Sequence, residues 1–83
     1  MSLTDIKART AKPESKAYKL ADSEGLYLLV GVGGSKLWRW KYRLNGKENA
    51  FALGRYPEVG LADARKARDA ARALVAQGVH PAQ

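Results

Sequence analysis

The 83-residue sequence contains no cysteine, and it has only one histidine, one methionine and three prolines. Without cysteine the chain can form neither a disulfide nor a thiolate metal site, which suits a reducing compartment. The longest apolar run, residues 26–32, is too short to cross a membrane. The basic N-terminal residues lead into Pro13 rather than into the apolar stretch of a signal peptide. We therefore expect a cytoplasmic protein with no membrane partner.

Residues that could carry catalysis are also scarce. His80 lies near the C-terminus without a neighbouring carboxylate, so we expect it to be solvated rather than to act as a base or metal ligand. The glycine-rich segment 31–34 is too short for a dinucleotide-binding fingerprint and precedes a strand rather than a helix. The sequence predicts a domain that is not an enzyme and that uses no metal or cofactor.

Positive charge is what the chain has in excess. Fifteen lysine and arginine residues against eight acidic ones give a net charge of +7 and a pI near 10.0. Such an excess attracts polyanions and speeds encounter with them. The length allows one domain, residues 1–83, with a thin core and little room for an internal active site.

The apolar pattern predicts an α+β fold in which a three-stranded antiparallel sheet packs against one C-terminal helix, in the order β-β-β-α. The strands are expected at residues 26–32, 36–44 and 47–53, and the helix at 61–77. Asn45-Gly46 is a strong hairpin signal because a type I′ turn requires positive φ at both central residues. Gly78 and Pro81 are typical of a helix end.

The first 25 residues carry weaker signals. Residues 3–8 predict a short helical turn with Thr4 as its N-cap. Residues 18–20 could form a further short strand. Gly25 is expected to supply a positive φ in the turn that follows.

The strand 36–44 divides its side chains between two chemically different faces. Because successive side chains of a strand alternate, Trp38, Trp40, Tyr42 and Leu44 share one face, and Arg39, Lys41 and Arg43 share the other with Leu37. The aromatic face must be the core, since two tryptophans dominate the burial available to so small a domain. The opposite face then carries three cations about 7 Å apart.

The neighbouring strands extend this basic face. They are expected to place Tyr27 and Leu29 on one side of the cations, and Ala50 and Ala52 with Glu48 on the other. No acidic residue occurs between Glu24 and Glu48, whereas a merely solvated face usually mixes charges. We interpret the face as a surface for duplex DNA, although a basic face that only keeps the sheet soluble shows the same alternation.

Further candidates lie at the ends of the sheet and on the helix. Ser35 and Lys36 at the first hairpin tip are candidate DNA-backbone contacts, and Arg55 with Tyr56 follows the third strand. Arg65, Arg68 and Arg72 line one edge of the apolar helix stripe, where we expect mainly packing of their aliphatic stems. Asp69 is spaced to pair with Arg65 at i, i+4.

Several segments occur together in an order that resembles a known family. They are Leu3-Thr4-Asp5, Ala11-Lys12-Pro13, Tyr18-Lys19-Leu20, Gly25-Leu26-Tyr27-Leu28-Leu29-Val30, Gly34-Ser35-Lys36-Leu37-Trp38-Arg39, Leu53-Gly54-Arg55-Tyr56-Pro57 and Leu61-Ala62-Asp63-Ala64-Arg65. Over nearly the whole chain the sequence resembles the N-terminal arm-type DNA-binding domain of prophage and genomic-island integrases, which are tyrosine recombinases.

The resemblance implies a sheet that enters the major groove of arm-type sites, and a catalytic domain that lies downstream. It implies as partners the double-stranded arm-type DNA, the core-binding and catalytic domains of the same chain, and other integrase protomers. Residues 79–83 would begin the linker, and the protein would act on the nucleoid of a bacterial cytoplasm. Two departures stand out: Gly60 replaces the usual serine or threonine N-cap, and Ala50 and Ala52 replace more polar residues.

Two other functions remain open from the residues alone. A protein-interaction module could dock an acidic partner on the same basic face. An RNA-binding domain is disfavoured, because the tryptophans are assigned to the core and only Tyr27 is left to stack on bases.

Overall fold

The structure, a computed structural model, describes residues 2–81. Met1, Ala82 and Gln83 lie outside the described residues, and with them two residues of the predicted linker start at 79–83. The elements follow in the order α1 (Asp5–Thr10), β1 (Tyr18–Ala21), β2 (Leu26–Val30), β3 (Lys36–Leu44), β4 (Lys47–Arg55) and α2 (Leu61–Ala76).

The strands form one antiparallel sheet in the order β1-β2-β3-β4. The predicted α+β class with a C-terminal helix is confirmed, but the predicted three strands are wrong because β1 adds a fourth. β1 pairs with β2 from Tyr18 opposite Val30 to Ala21 opposite Tyr27. Four residues are too few for a clear alternation, and the strand forms because β2 offers an otherwise unpaired edge.

Two strands end differently from the prediction. β2 stops at Val30 because Gly31 already belongs to the hairpin, where its amide donates to Ser35 O at 2.8 Å. β4 runs on to Arg55, two residues beyond the predicted end, through an irregularity opposite Trp38 and Arg39. Such a bulge lets a strand continue while its side chains change phase against the partner strand.

The sequence predicts positive φ in two turns, and both form as expected. Asn45 and Gly46 have φ of 53° and 77° between β3 and β4. Gly25 has φ of 87°, and a Cβ there would stand 2.5 Å from Lys41 O. Its own carbonyl accepts from the amide of Lys41 at 2.9 Å. Glycine at this position therefore brings the β1–β2 turn against the middle of β3.

The core lies between the sheet and α2, as the alternation of β3 predicts. One cluster of buried residues centres on Trp38 and contains Leu3, Ala8, Leu26, Leu28, Leu61 and Ala64. A second contains Trp40, Tyr42, Leu44 and Ala71. The indole N–H of Trp38 donates to Val59 O at 2.6 Å and that of Trp40 to Glu24 O at 2.8 Å. Both tryptophans are thus buried with their polar atoms satisfied.

The N-terminal segment is tied to α2 by a buried ion cluster. The Asp22 carboxylate accepts from the amide of Leu3 at 2.8 Å and from Arg65 at 2.9 and 3.0 Å. The predicted Arg65–Asp69 pair is therefore wrong: Arg65 turns to the buried Asp22, and Asp69 accepts from Arg68 at 3.0 Å. A fixed buried carboxylate competes better for the guanidinium than an exposed one.

His80 is not simply solvated, as we expected from the sequence. It is half-buried, with Nδ1 3.0 Å from the hydroxyl of Tyr42 and the two rings edge to face at 6.0 Å. Tyr42 in turn stacks on Trp40 with ring centroids 4.9 Å apart. The chain after α2 therefore folds back onto the second core cluster.

Candidate nucleic-acid interface

The side of the sheet opposite α2, which we call the outer face, is built from alternate residues of all four strands. The strand registers place on it Lys19 and Ala21 of β1, Tyr27 and Leu29 of β2, Leu37, Arg39, Lys41 and Arg43 of β3, and Glu48, Ala50, Ala52 and Arg55 of β4. Five cations and one carboxylate thus share this face.

Arg39 occupies the middle of the outer face. It lies opposite Tyr27 on β2 and opposite Ala52 on β4, and it is half-buried. Within residues 2–81 its side chain forms no ion pair, and its Nε is buried without a hydrogen-bond acceptor. This guanidinium is therefore not engaged in holding the fold.

Lys41 and Arg43 continue the row toward the β3–β4 hairpin, and both are exposed. Lys41 Nζ lies 3.8 Å from Glu48 Oε1, and both side chains remain more than half exposed, at 51% and 59%. Arg43 stands directly opposite Glu48 in the register. An exposed ion pair of this length contributes little to stability, so Lys41 can exchange Glu48 for a phosphate.

Lys19 is a cation of the outer face that the predicted three-stranded sheet does not include. Its Nζ lies 4.9 Å from the ring centroid of Tyr27, a cation–π contact that fixes it over the outer face. Only the structure shows that β1 pairs with β2 and so carries Lys19 onto this face. The resemblance of Tyr18-Lys19-Leu20 to a strand was the one signal that could have placed it there.

The small residues of β4 leave room beside the cations. Ala50 and Ala52 are exposed opposite Lys41 and Arg39. A shallow depression of about 280 Å³ opens here, lined by Lys19, Tyr27, Lys41, Glu48, Asn49 and Ala50. On the other flank Leu29 and Leu37 are half-buried and paired across β2 and β3. The outer face is therefore mainly flat, with shallow hollows between Lys19 and Lys41.

The candidates at the β2–β3 hairpin end have different surroundings. Ser35 is exposed at the tip. Lys36 is half-buried on the core side, where its ammonium donates to Ala8 O at 2.7 Å and to Arg9 O at 3.0 Å. It thereby satisfies the carbonyls at the C-terminal end of α1, so most of its donor capacity serves the fold.

Arg55 and Tyr56 separate at the end of β4. Arg55 is exposed opposite Leu37 on the outer face. Tyr56 turns toward the core and packs edge to face against Trp38 at 6.3 Å, with Lys36 Nζ 5.5 Å from its ring. Of this predicted pair the structure places only Arg55 beside the row of β3 cations.

The chain was compared with known proteins, and residues 3–83 match the family described as the arm DNA-binding domain. The chain belongs to the arm DNA-binding domain family. It is 49% identical over 83 residues to the integrase of Enterobacteria phage P4, a match that covers 98% of this chain and 19% of the integrase. It is 43% identical over 88 residues to prophage integrase IntZ of Escherichia coli strain K12, covering 100% of this chain and 22% of that protein.

A third relative, the integrase of Shigella phage Sf6, is 40% identical over 79 residues, covering 95% of this chain and 20% of the integrase. The arm DNA-binding domain thus spans about a fifth of the length of these relatives. The catalytic region of the integrases lies outside the match. The chain corresponds to a DNA-binding part of prophage integrases, and not to the part that carries out recombination.

From residue 2 to residue 81, no helix has the length and apolar character needed to span a membrane. The same residues contain no group of three or more histidine, cysteine or acidic side chains placed to hold a metal ion.

Proposed function

We propose that this domain binds double-stranded DNA sequence-specifically at arm-type sites, through the outer face of its sheet. In the longer protein it would position a tyrosine-recombinase integrase for integration and excision of a mobile element. The observation that carries the proposal is the row Arg39, Lys41 and Arg43. It lies on the face of β3 opposite the buried tryptophans, and its cations form no buried ion pair within residues 2–81. Belonging to the arm DNA-binding domain family supports it.

The dimensions of the outer face suit the major groove. Neighbouring strands lie about 4.8 Å apart, and the groove is about 12 Å wide, so it admits a two-stranded ribbon. β3 with β4 supplies such a ribbon, with cations on one strand and the exposed Ala50 and Ala52 on the other. Small side chains on β4 would let the ribbon approach the base edges closely.

The remaining partners follow from the relatives. Because the chain spans about a fifth of their length, we propose that core-binding and catalytic domains follow it and that residues 79–83 begin the linker to them. Other integrase protomers would assemble on the same DNA. The site of action would be the nucleoid in the bacterial cytoplasm.

Binding of the 83-residue chain to duplexes selected from a random-sequence pool tests the proposal. Arg39→Ala, Lys41→Ala and Arg43→Ala are each expected to weaken binding about tenfold. Lys41→Ala and Arg43→Ala should also lower the slope of log affinity against log salt by about one unit. Lys66→Ala, which removes an exposed cation from α2, is the matched control and should change neither quantity.

Three results would contradict the proposal. If the three outer-face variants behave like Lys66→Ala, DNA binds elsewhere on the domain. If selected and scrambled duplexes bind equally, the domain supplies only electrostatic attraction. If polyglutamate or single-stranded RNA competes as well as the selected duplex, the face serves an acidic protein or RNA instead.

A further inference from the structure

The cations of the outer face differ in the partners they contact in the free domain. Lys41 lies 3.8 Å from Glu48, and Lys19 stands over the ring of Tyr27. Arg43 is exposed to solvent. Arg39 is half-buried, and its Nε is the one buried side-chain nitrogen or oxygen within residues 2–81 that has no hydrogen-bond partner.

A buried donor without an acceptor is rare in native proteins and is usually tied to function or to an unseen partner. An exposed lysine gives up water when it binds an anion, and so gains little. Arg39 Nε has no hydrogen bond to lose. A ligand that supplies an acceptor there therefore satisfies a donor that is otherwise unpaired. The free domain is thus prepared for an acceptor at this position.

The backbone that carries Arg39 is held firmly. Its neighbours Trp38 and Trp40 are 0% and 4% exposed, and each indole donates to a backbone carbonyl. The irregularity of the β3–β4 ladder falls between Trp38 and Arg39. Bulges of this kind change the direction of a side chain. Base recognition requires that such a side chain start from a rigid backbone.

The position of Arg39 on the face decides between phosphate and base. It lies on an inner strand. Lys19 is two strands away with an offset of two residues, and Arg43 is four residues away along β3, which corresponds to about 12 Å and 13 Å. When the face enters a groove about 12 Å wide, the outlying cations meet the phosphate walls and the centre meets the floor. There, guanine is the base whose N7 and O6 form two adjacent acceptors, and they match the planar fork of arginine.

We infer that Arg39 is the specificity-determining residue of the outer face and reads a guanine in the major groove, whereas the outlying Lys19 and Arg43 contact phosphates. This inference rests on the proposed function and assigns one residue its target. Discrimination against the other bases at the contacted position should be about tenfold to a hundredfold.

The test measures binding of the 83-residue chain to a selected duplex and to variants with each base pair replaced in turn. For the wild type, one guanine should be required, and 7-deazaguanine at that position should weaken binding because it lacks the N7 acceptor. Arg39→Lys keeps the charge but loses the fork, so it should abolish this preference and leave the salt slope unchanged. Arg43→Lys is the matched control and should keep the preference.

A second variant guards against an effect on the fold. Arg39→Gln, checked for native tryptophan fluorescence and thermal unfolding, should also lose the guanine preference. If Arg39→Lys and Arg39→Gln keep the wild-type base profile, or if Arg43→Lys loses it, the inference is wrong. In that case the proposed function still stands, provided that Arg39→Ala, Lys41→Ala and Arg43→Ala weaken duplex binding.

Discussion

Asp22 is a single buried residue whose ion pairs and hydrogen bond connect the N-terminal segment to α2. Its side chain is fully buried and lies between the amide of Leu3 and two arginines of α2. Burial by itself raises the pKa of the Asp22 carboxyl, but hydrogen bonds from Arg65 and from two backbone amides outweigh burial and hold the pKa below its ordinary value. The same hydrogen bond raises the pKa of Arg65.

Through Asp22 the stability of the domain should depend on pH. A carboxyl whose pKa is lowered by folding stabilises the protein fully above its unfolded pKa of about 3.9, and this stabilisation is lost as the pH falls through the folded pKa. Asp22→Asn should therefore lower the free energy of unfolding at pH 6 by about 2 kcal/mol. Below about pH 4 the difference from the wild type should shrink.

Urea unfolding followed by tryptophan fluorescence at pH 6 and pH 3 measures both differences. The other carboxyl groups are common to the two proteins, so their titration cancels in the comparison. A difference that stays constant between the two pH values would mean that the charge of Asp22 does not contribute.

At the scale of the elements, the N-terminus of α2 lacks a side-chain cap. Gly60 is its N-cap, with φ of −78° and ψ of 173°, and no side chain caps the first turn. A Cβ at this position would meet nothing within 4 Å, and the backbone conformation suits any residue. The first amides of α2 therefore lack an acceptor that a serine hydroxyl could provide.

Gly60→Ser is expected to raise the free energy of unfolding by about 0.5–1 kcal/mol, through the added cap and a less flexible unfolded chain. For a domain of this size the melting temperature should rise by about 3–6 °C. Gly60→Ala has the Cβ without the hydroxyl and is the matched control in calorimetry. Equal gains for both variants would assign the effect to chain entropy and not to the cap.

Elements with a long, clear pattern could be predicted from the sequence, and contacts between distant segments could not. The alternation over 36–44 correctly separated Trp38 and Trp40 from Arg39, and Asn45-Gly46 located its hairpin. The four residues of β1 are too few to show a clear alternation of apolar and polar side chains. The predicted sheet therefore lacks both β1 and its cation Lys19. The partner of Lys36 is 28 residues away in the sequence and that of Arg65 is 43 residues away, separations that no local periodicity records.

At the scale of the whole molecule, the charge is distributed unevenly between the two sides. The arginines along α2 are compensated at short range, Arg65 and Arg68 by Asp22 and Asp69, and Arg72 by Glu24 at 3.2 Å. On the outer face, five cations meet only Glu48. The excess of +7 is therefore concentrated away from the helix edge, and it favours one orientation toward a polyanion.

Neutralising one cation on each side tests this polarity. Arg43→Gln removes an exposed outer-face cation and should lower the salt slope of duplex binding by about one unit. Arg72→Gln removes a cation that is already paired with Glu24, so it should leave the slope unchanged and the affinity within about twofold. Affinities measured by fluorescence anisotropy between 50 and about 200 mM salt give both slopes. If Arg72→Gln lowers the salt slope as much as Arg43→Gln does, the edge of α2 also contacts phosphate. The domain would then bind DNA through two surfaces.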